Sequence, residues 1–409
     1  LEPAQWIAEA RTIAEELRNR AILAPDGSAT WIAPTRLGAA RQDPVAPLDD
    51  TLYDGAGGVA VFLATLDAVT RRSEFRSLTL GSLMGARQRL RDPAVAAAAV
   101  AETGIGGGSG WGSILYALAR VGQLLGDPPV LEDACRAVRL ISDQAIAADR
   151  QLDVLGGAAG AILGLLAIHA ATGDQAALER ARACGQHLRG MRASSCSGLR
   201  AWRTLDSRML TGFSHGIAGI TYALLRLYQR TGERQFRDAA EEAWTCERTA
   251  FLPEIGNWAM EVDGRGAPDV RAMWCYGAPG IALARLGGLP VWETAEIRQE
   301  IDRAVEATEA FGAAIGLEDV DHLCCGNFGR IETLAVAAQR RARPDWLAAA
   351  RAQASRLVAR ARWAGGFRLL DGASATLYRP SFFQGAAGIG YGLLRLAAPH
   401  TVPSVLLWE

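Results

Sequence analysis

The sequence predicts an all-α protein built as a ring of seven helical hairpins. Three observations carry that expectation. First, seven glycine-rich turns recur at roughly fifty- to sixty-residue intervals, a period that marks a repeat architecture. They read LYDGAGG from Leu52, GIGGGSGWG from Gly104, LDVLGGAAG from Leu152, GFSHGIAG from Gly212, WCYGAPG from Trp274, CCGNFGR from Cys324 and FFQGAAG from Phe382. Second, the segment after each turn is apolar around most of its circumference, as in AILGLLAIHA from Ala161 and ITYALLRLY from Ile220, so it belongs inside. Third, the segments between, such as ALERARACGQHLRGM from Ala177 and FRDAAEEAWTCERTAF from Phe236, alternate charged and apolar faces at helical spacing and belong outside. Period-two strand patterns are scarce.

Each repeat therefore reads as one outer helix, a glycine turn and one inner helix. Glycine permits close backbone approach and left-handed dihedrals just before a helix starts. Closing the ring gathers the inner-helix N-termini at one end, so residues distant in sequence meet there. Those N-termini offer unpaired N–H groups and a positive dipole end, which favour anions such as thiolates. The most apolar stretch, Gly156 to Ala171, spaces Gly156, Gly160 and Gly164 four apart, a pattern that also serves membrane dimers. It is shorter than the roughly 20 residues a bilayer requires and contains His169, so it reads as a buried helix packed closely on its neighbours.

Length alone suggests two or three domains of about 150 residues, but the repeat runs from near residue 52 to residue 396, which makes residues 1–409 one expected domain. A net charge of −1 leaves no electrostatic footprint for nucleic acid or an anionic membrane. Seven cysteines without a secretory signal do not form a disulfide framework and point to the reducing cytoplasm. The chain begins at Leu1 with neither an initiator Met nor a targeting segment, so it reads as a domain cut from a longer protein.

The chemistry sits in the turns. Cys275 lies in the fifth, and Cys324 and Cys325 open the sixth. Three thiolates with one open position describe a catalytic zinc site, because closed structural sites use four protein ligands; the alternative is three small buried hydrophobes. His215, in GFSHG, occupies the same point of its turn and is a candidate general acid/base. Asp153 precedes the third turn, where it either caps the inner helix or orients His215. Asp54 reads as a cap, and His322 as a neighbour of the cysteine pair rather than a ligand.

These motifs resemble the lanthionine synthetase C-like cyclases over essentially the whole chain. WCYG, then CCG in the next turn, with GFSHG before them, is a specific combination. EIGNWAMEVDGRG from Glu254, LCCGNFGRIETL from Leu323 and the terminal GLLRLAAPHTVPSVLLWE are similar to the C-terminal cyclase domain of class II lanthipeptide synthetases, whose N-terminal dehydratase domain would precede this chain and whose natural C-terminus would lie close to Glu409. The resemblance implies an α/α toroid, a double-layered barrel of seven inner and seven outer helices. It implies Michael-type addition of peptide Cys thiols to dehydroalanine or dehydrobutyrine, with Zn²⁺ on Cys275, Cys324 and Cys325 and a dehydrated, leader-bearing precursor peptide as substrate. It further implies His215 as acid/base, Asp153 as its partner, and Arg271 and Tyr276 as additional active-site residues, with Arg271 either stabilising enolate charge or lying solvated at the surface. One departure stands out: the commoner pattern is Cys-Cys-His, and here Cys325 takes the histidine's place. A third thiolate should weaken the metal as a Lewis acid and sharpen the bound sulfur as a nucleophile, which points to a more reactive and more promiscuous cyclase.

Related helical toroids host glycosidases, which need two facing carboxylates, whereas the turns offer only Asp54 and Asp153. Zinc prenyltransferases use mixed Asp, Cys and His ligands, and a peptide-binding scaffold would close the zinc shell with a fourth protein ligand. No Walker-type motif calls for a nucleotide.

Overall fold

Every inner helix begins on a glycine. The computed structural model describes residues 1–34, 45–315, 319–370 and 377–409. In it the inner helices are α2 (Ala56–Thr70), α6 (Trp111–Leu125), α9 (Ala158–Thr172), α11 (Ile217–Thr231), α13 (Ala278–Gly288), α15 (Asn327–Arg341) and α17 (Ala386–Ala397). Their N-caps are Gly55, Gly110, Gly157, Gly216, Gly277, Gly326 and Gly385, none with a side-chain cap of its own. Of the two freedoms that glycine allows, left-handed dihedrals are used at only one of these caps: Gly277 has φ 89°, while the other six are extended, with φ from −99° to −143°. What excludes a side chain elsewhere is space. A Cβ on Gly216 would lie 2.1 Å from the Thr211 carbonyl oxygen, because the turn doubles back over the helix start.

That doubling back pairs the N–H groups which a helix leaves open at its start. Ala56 N donates to Asp49 O (2.7 Å), Trp111 N to Gly104 O (3.0 Å), Ile217 N to Leu210 O (2.9 Å), Asn327 N to Val320 O (2.9 Å) and Ala386 N to Arg379 O (2.8 Å), each acceptor seven residues back. In the third turn the Asp149 carboxylate takes the Ala158 N–H (2.9 Å), and the seven-residue bond moves to Ala159 N and Leu152 O (3.1 Å).

The outer layer comprises α1 (Pro3–Arg20), α10 (Gln175–Gly190), α12 (Arg234–Arg248), α14 (Ala295–Ile315) and α16 (Pro344–Ala364), plus two interrupted stretches. The expectation of one outer helix per repeat fails at those two. Between α2 and α6 lie α3 (Arg76–Ser82), α4 (Met84–Arg89) and α5 (Pro93–Thr103); between α6 and α9 lie α7 (Pro128–Ala137) and α8 (Asp143–Ala148). New helices start there because the sequence supplies fresh caps: Asp92 before Pro93, Asp127 before Pro128, and Ser142. A capping side chain with proline at the first helical position favours initiation.

Each inner helix packs on the outer element that follows it, and α17 packs on α1. The inner helices contact one another in order, with α17 returning to α2, so the ring closes. The protein is an all-α toroid. Gly160 and Gly164 are where α9 meets its neighbour: a Cβ on either would come within 2.1 Å of Gly107 N or Gly112 O respectively. Among the described residues no helix is long and apolar enough to cross a membrane. Among the described residues, strand is confined to four two-stranded antiparallel pairs, one of which joins Phe251–Leu252 to Asn257–Trp258. Trp274 packs at tilted angles against Phe213 (5.5 Å), Phe383 (5.1 Å) and Trp408 (6.1 Å). The C-terminal segment is tied in by Tyr222 Oη to Leu407 O (2.7 Å) and Trp408 Nε1 to Gly107 O (3.1 Å). This aromatic cluster buries Trp274, the chain neighbour of Cys275, against Phe383 of the seventh turn.

Candidate metal and acid–base centre

The seven turns meet at one end of the barrel, and most are stitched edge to edge by backbone. Phe383 N donates to Tyr53 O (3.0 Å), Tyr53 N to Gly108 O (3.0 Å), Gly107 N to Val154 O (2.9 Å), and Val154 N and Leu155 N to Ser214 O (3.2 and 3.1 Å). Cys324 N donates to Phe383 O (2.9 Å). This links turns six, seven, one, two, three and four.

Inside the ring the three cysteines converge. Cys275 Sγ lies 3.5 Å from Cys325 Sγ, which lies 3.2 Å from Cys324 Sγ, and the three sulfurs all fall within 4.8 Å of one another. A disulfide would need about 2.05 Å. Thiolates around tetrahedral zinc, with Zn–S near 2.3 Å, stand about 3.8 Å apart, so the trio fits such an ion. The electrostatics agree. Burial, followed by its two sulfur neighbours, pushes the Cys324 thiol well above its usual range, so three thiolates here require a compensating cation.

Beside the trio, His215 Nδ1 lies 2.7 Å from Asp153 Oδ2. Asp153 is 2% exposed and its other oxygen accepts the Gly156 N–H at 2.7 Å. Both carboxylate oxygens are thus engaged, one by the third turn and one by the imidazole of the fourth. With Nδ1–H donating to the carboxylate, Nε2 is the ring nitrogen not engaged by Asp153. The Tyr276 ring stands 6.0 Å from the His215 ring at an interplanar angle of 29°. Burial, then Cys275 and Asp153, push its phenol well above the usual range, so it is a hydrogen-bond donor at neutral pH.

Over residues 46–407 the sequence matches the family described as lanthionine synthetase C-like protein. The chain belongs to the lanthionine synthetase C-like family. Among solved structures it is similar to nisin cyclase, at 16% identity and TM-score 0.62, with 85% of this chain and 88% of that one covered. It is also similar to the Lin0763 protein from Listeria innocua, at 14% identity and TM-score 0.50, covering 98% and 97%. At these identities the likeness is one of fold. No curated protein matches the sequence.

The remaining expected site residues of this lanthionine synthetase C-like chain are placed as follows. The Arg271 side chain is 50% exposed, and its guanidinium is engaged by Asp269 (2.7 and 3.1 Å) rather than by the sulfurs or His215. Asp54 does not cap α2: its Oδ1 accepts from Ser381 Oγ (3.1 Å) and lies 3.7 Å from Arg379 Nη2, because the cap position belongs to Gly55. His322 is buried and outside the sulfur group, with its Nδ1 3.4 Å from the Cys325 N–H.

Sequence reasoning missed three contributors. Tyr53, stacked on Phe383 at 4.9 Å, brings a second phenol beside Cys324; burial, then Cys324 and Cys325, push it well above the usual range. Arg330, 1% exposed, spans from Ala272 O (3.2 Å) to Asp319 (2.7 Å) and Asn327 Oδ1 (2.9 Å), tying the fifth turn to the sixth. Asn257 holds the fifth turn itself: Oδ1 accepts the Ala278 N–H (2.9 Å) and Nδ2 donates to Arg271 O (3.0 Å). Asn257 and Arg330 lay within motifs singled out above, but only tertiary contact reveals their partners.

Proposed function

We propose that this protein is a zinc-dependent lanthipeptide cyclase, joining cysteine thiols of a dehydrated peptide to dehydroalanine or dehydrobutyrine as thioether rings. The observation that carries this reading is the meeting of three cysteines from two turns, Cys275 and Cys324 buried and Cys325 half-buried, with a histidine fixed by a buried aspartate. Zinc held by Cys275, Cys324 and Cys325 would supply a Lewis acid with one open position that keeps a fourth thiol ionised near neutral pH.

The chain's own residues account for the protons. His215, with Nδ1–H committed to Asp153, takes the substrate thiol's proton at Nε2. The sulfur pair forms the C–S bond at Cβ, the C=C π pair moves toward the adjacent carbonyl, and the imidazolium returns its proton to Cα. Asp153 stabilises the imidazolium between these events. Tyr276, a neutral phenol, donates toward developing negative charge. The sequence of steps is redox-neutral and consumes no nucleotide. Motifs similar to the class II synthetases support a cyclase unit that works on a leader-bearing precursor beside a dehydratase domain. Cys325 in the place of histidine makes this a more reactive variant: Cys325→His is expected to retain zinc while cyclising a few-fold more slowly, and an equal rate over an identical substrate range would count against that refinement.

The test is thioether formation by the 409-residue chain on a dehydrated, cysteine-containing peptide, with remaining thiols counted by alkylation and mass spectrometry. Zinc-dependent thiol loss, absent in Cys324→Ala, is the expected result. Zinc-loaded wild type that consumes no thiol, either alone or joined to a dehydratase domain, would refute the cyclase reading.

A further inference from the structure

The fifth turn breaks the rule that the other six obey. Each of the others closes on its helix start with at least one backbone bond reaching seven residues back. At the fifth, the corresponding pair would be Ala278 N–H and Arg271 C=O. The two do not bond to each other; the carboxamide of Asn257 stands between them, accepting from Ala278 N at 2.9 Å and donating to Arg271 O at 3.0 Å. Oδ1 also accepts from Trp258 N at 2.8 Å, which locks the amide's orientation from its own strand. The next N–H along the helix is missing, because residue 279 is proline. Gly277 accommodates the altered path at φ 89°, where a Cβ would lie 1.7 Å from Arg271 O.

Residues 271–278 are thus a loop held at both ends by one buried side chain, and Cys275 lies within it. Inserting an amide where a direct bond would close the turn separates the two ends by the width of that group. Among the described residues no backbone hydrogen bond ties this loop to the turns on either side. Its links to them are side-chain links: Ser214 Oγ to Cys275 O (3.4 Å), Arg330 to Ala272 O (3.2 Å), and the sulfur contacts.

We infer that Asn257 is a positioning residue for the metal centre: its amide sets the opening of the fifth turn, and with it the reach of Cys275 Sγ toward Cys324 and Cys325. This rests on the reading of the three cysteines as one metal site. Only a side chain with donor and acceptor on one planar group can serve both ends of an interrupted backbone pair. Aspartate can receive Ala278 N–H but opposes an oxygen to Arg271 C=O. Groups that orient metal ligands from outside the ligand set typically govern about 10–100-fold of affinity.

The test measures zinc affinity by competition with a chromophoric chelator, and the Co²⁺ thiolate absorption, in wild type, Asn257→Asp and Asp149→Asn. Asp149→Asn disturbs the corresponding clamp in the third turn, which bears no cysteine. The expected result is a zinc Kd raised about 10–100-fold in Asn257→Asp, with an altered Co²⁺ spectrum, while Asp149→Asn stays within about twofold of wild type, inside the additivity error of independent sites. Should Asn257→Asp not fold, Asn257→Ala, which removes both bonds and adds no charge, takes its place. Unchanged affinity in the Asn257 variants, or an equal loss in Asp149→Asn, overturns the inference and leaves the metal reading standing. Wild type that binds no zinc overturns both.

Discussion

The fourth and fifth turns show what the repeat leaves fixed and what it leaves adjustable. The fourth, which carries His215, closes on its own backbone through Ile217 N and Leu210 O and is bonded to the third turn through Ser214 O. The fifth, which carries Cys275, is closed by a borrowed amide and joined to its neighbours by side chains alone among the described residues. His215 therefore rides on a frame closed and joined by backbone bonds, while Cys275 Sγ rides on a loop whose position depends on what its side chains bind. An ion shared by Cys275, Cys324 and Cys325 would tie the fifth turn to the sixth, a joint that no backbone bond makes among the described residues.

The sharpest way to break this comparison is to alter each turn separately. His215→Ala should lower cyclisation by about 10²–10⁴-fold, the usual range for general acid–base groups, with zinc content unchanged, as read by metal analysis beside kcat. Asp153→Asn should fall in the same direction but less far, because the imidazole remains and loses only its oriented partner. Loss of zinc in His215→Ala would mean that the two turns are not independent. Next in size, chelating the metal should speed amide hydrogen exchange across residues 271–278 by about tenfold, a shift of about 1.4 kcal/mol in local opening, while amides of the third and fourth turns keep their protection. A uniform rise would show that the metal stabilises the ring generally. The smallest effect is expected at Arg271. Half exposed and held by Asp269, it belongs with surface pairs worth about 0–1 kcal/mol, so Arg271→Ala should keep kcat within a few-fold of wild type. A loss comparable to His215→Ala would place its guanidinium at the reacting centre.

Much of the fold was legible because its signals are local. Glycine at each helix start, an apolar segment after it and an amphipathic segment between are all read within one repeat, and they placed all seven inner helices. The same locality explains the failures. One outer helix per repeat was extrapolated across residues 71–150, where Asp92–Pro93, Asp127–Pro128 and Ser142 start short helices instead. Of the two freedoms that glycine offers at a turn, positive φ is used at only one cap, Gly277, and close approach fixes the others. Within the site, Cys275, Cys324 and Cys325 stood out because thiols are chemically distinctive, and the repeat supplied the reason for them to meet. Asn257 did not stand out: its partners, Ala278 N and Arg271 O, are backbone groups with no side-chain signature, reached through a hairpin. Asp54 and Asp153 show the same limit. Both precede a glycine turn, but one faces Ser381 and Arg379 while the other faces His215, and that difference is made by the neighbouring turn.

The most direct test of the central claim is zinc K-edge X-ray absorption on the purified protein, before and after addition of a thiol peptide. One zinc with three sulfur ligands at about 2.3 Å and one lighter ligand is expected, the latter replaced by a fourth sulfur when peptide is present. A zinc shell closed by four protein ligands and unchanged by peptide, or no stoichiometric zinc at all, would contradict it.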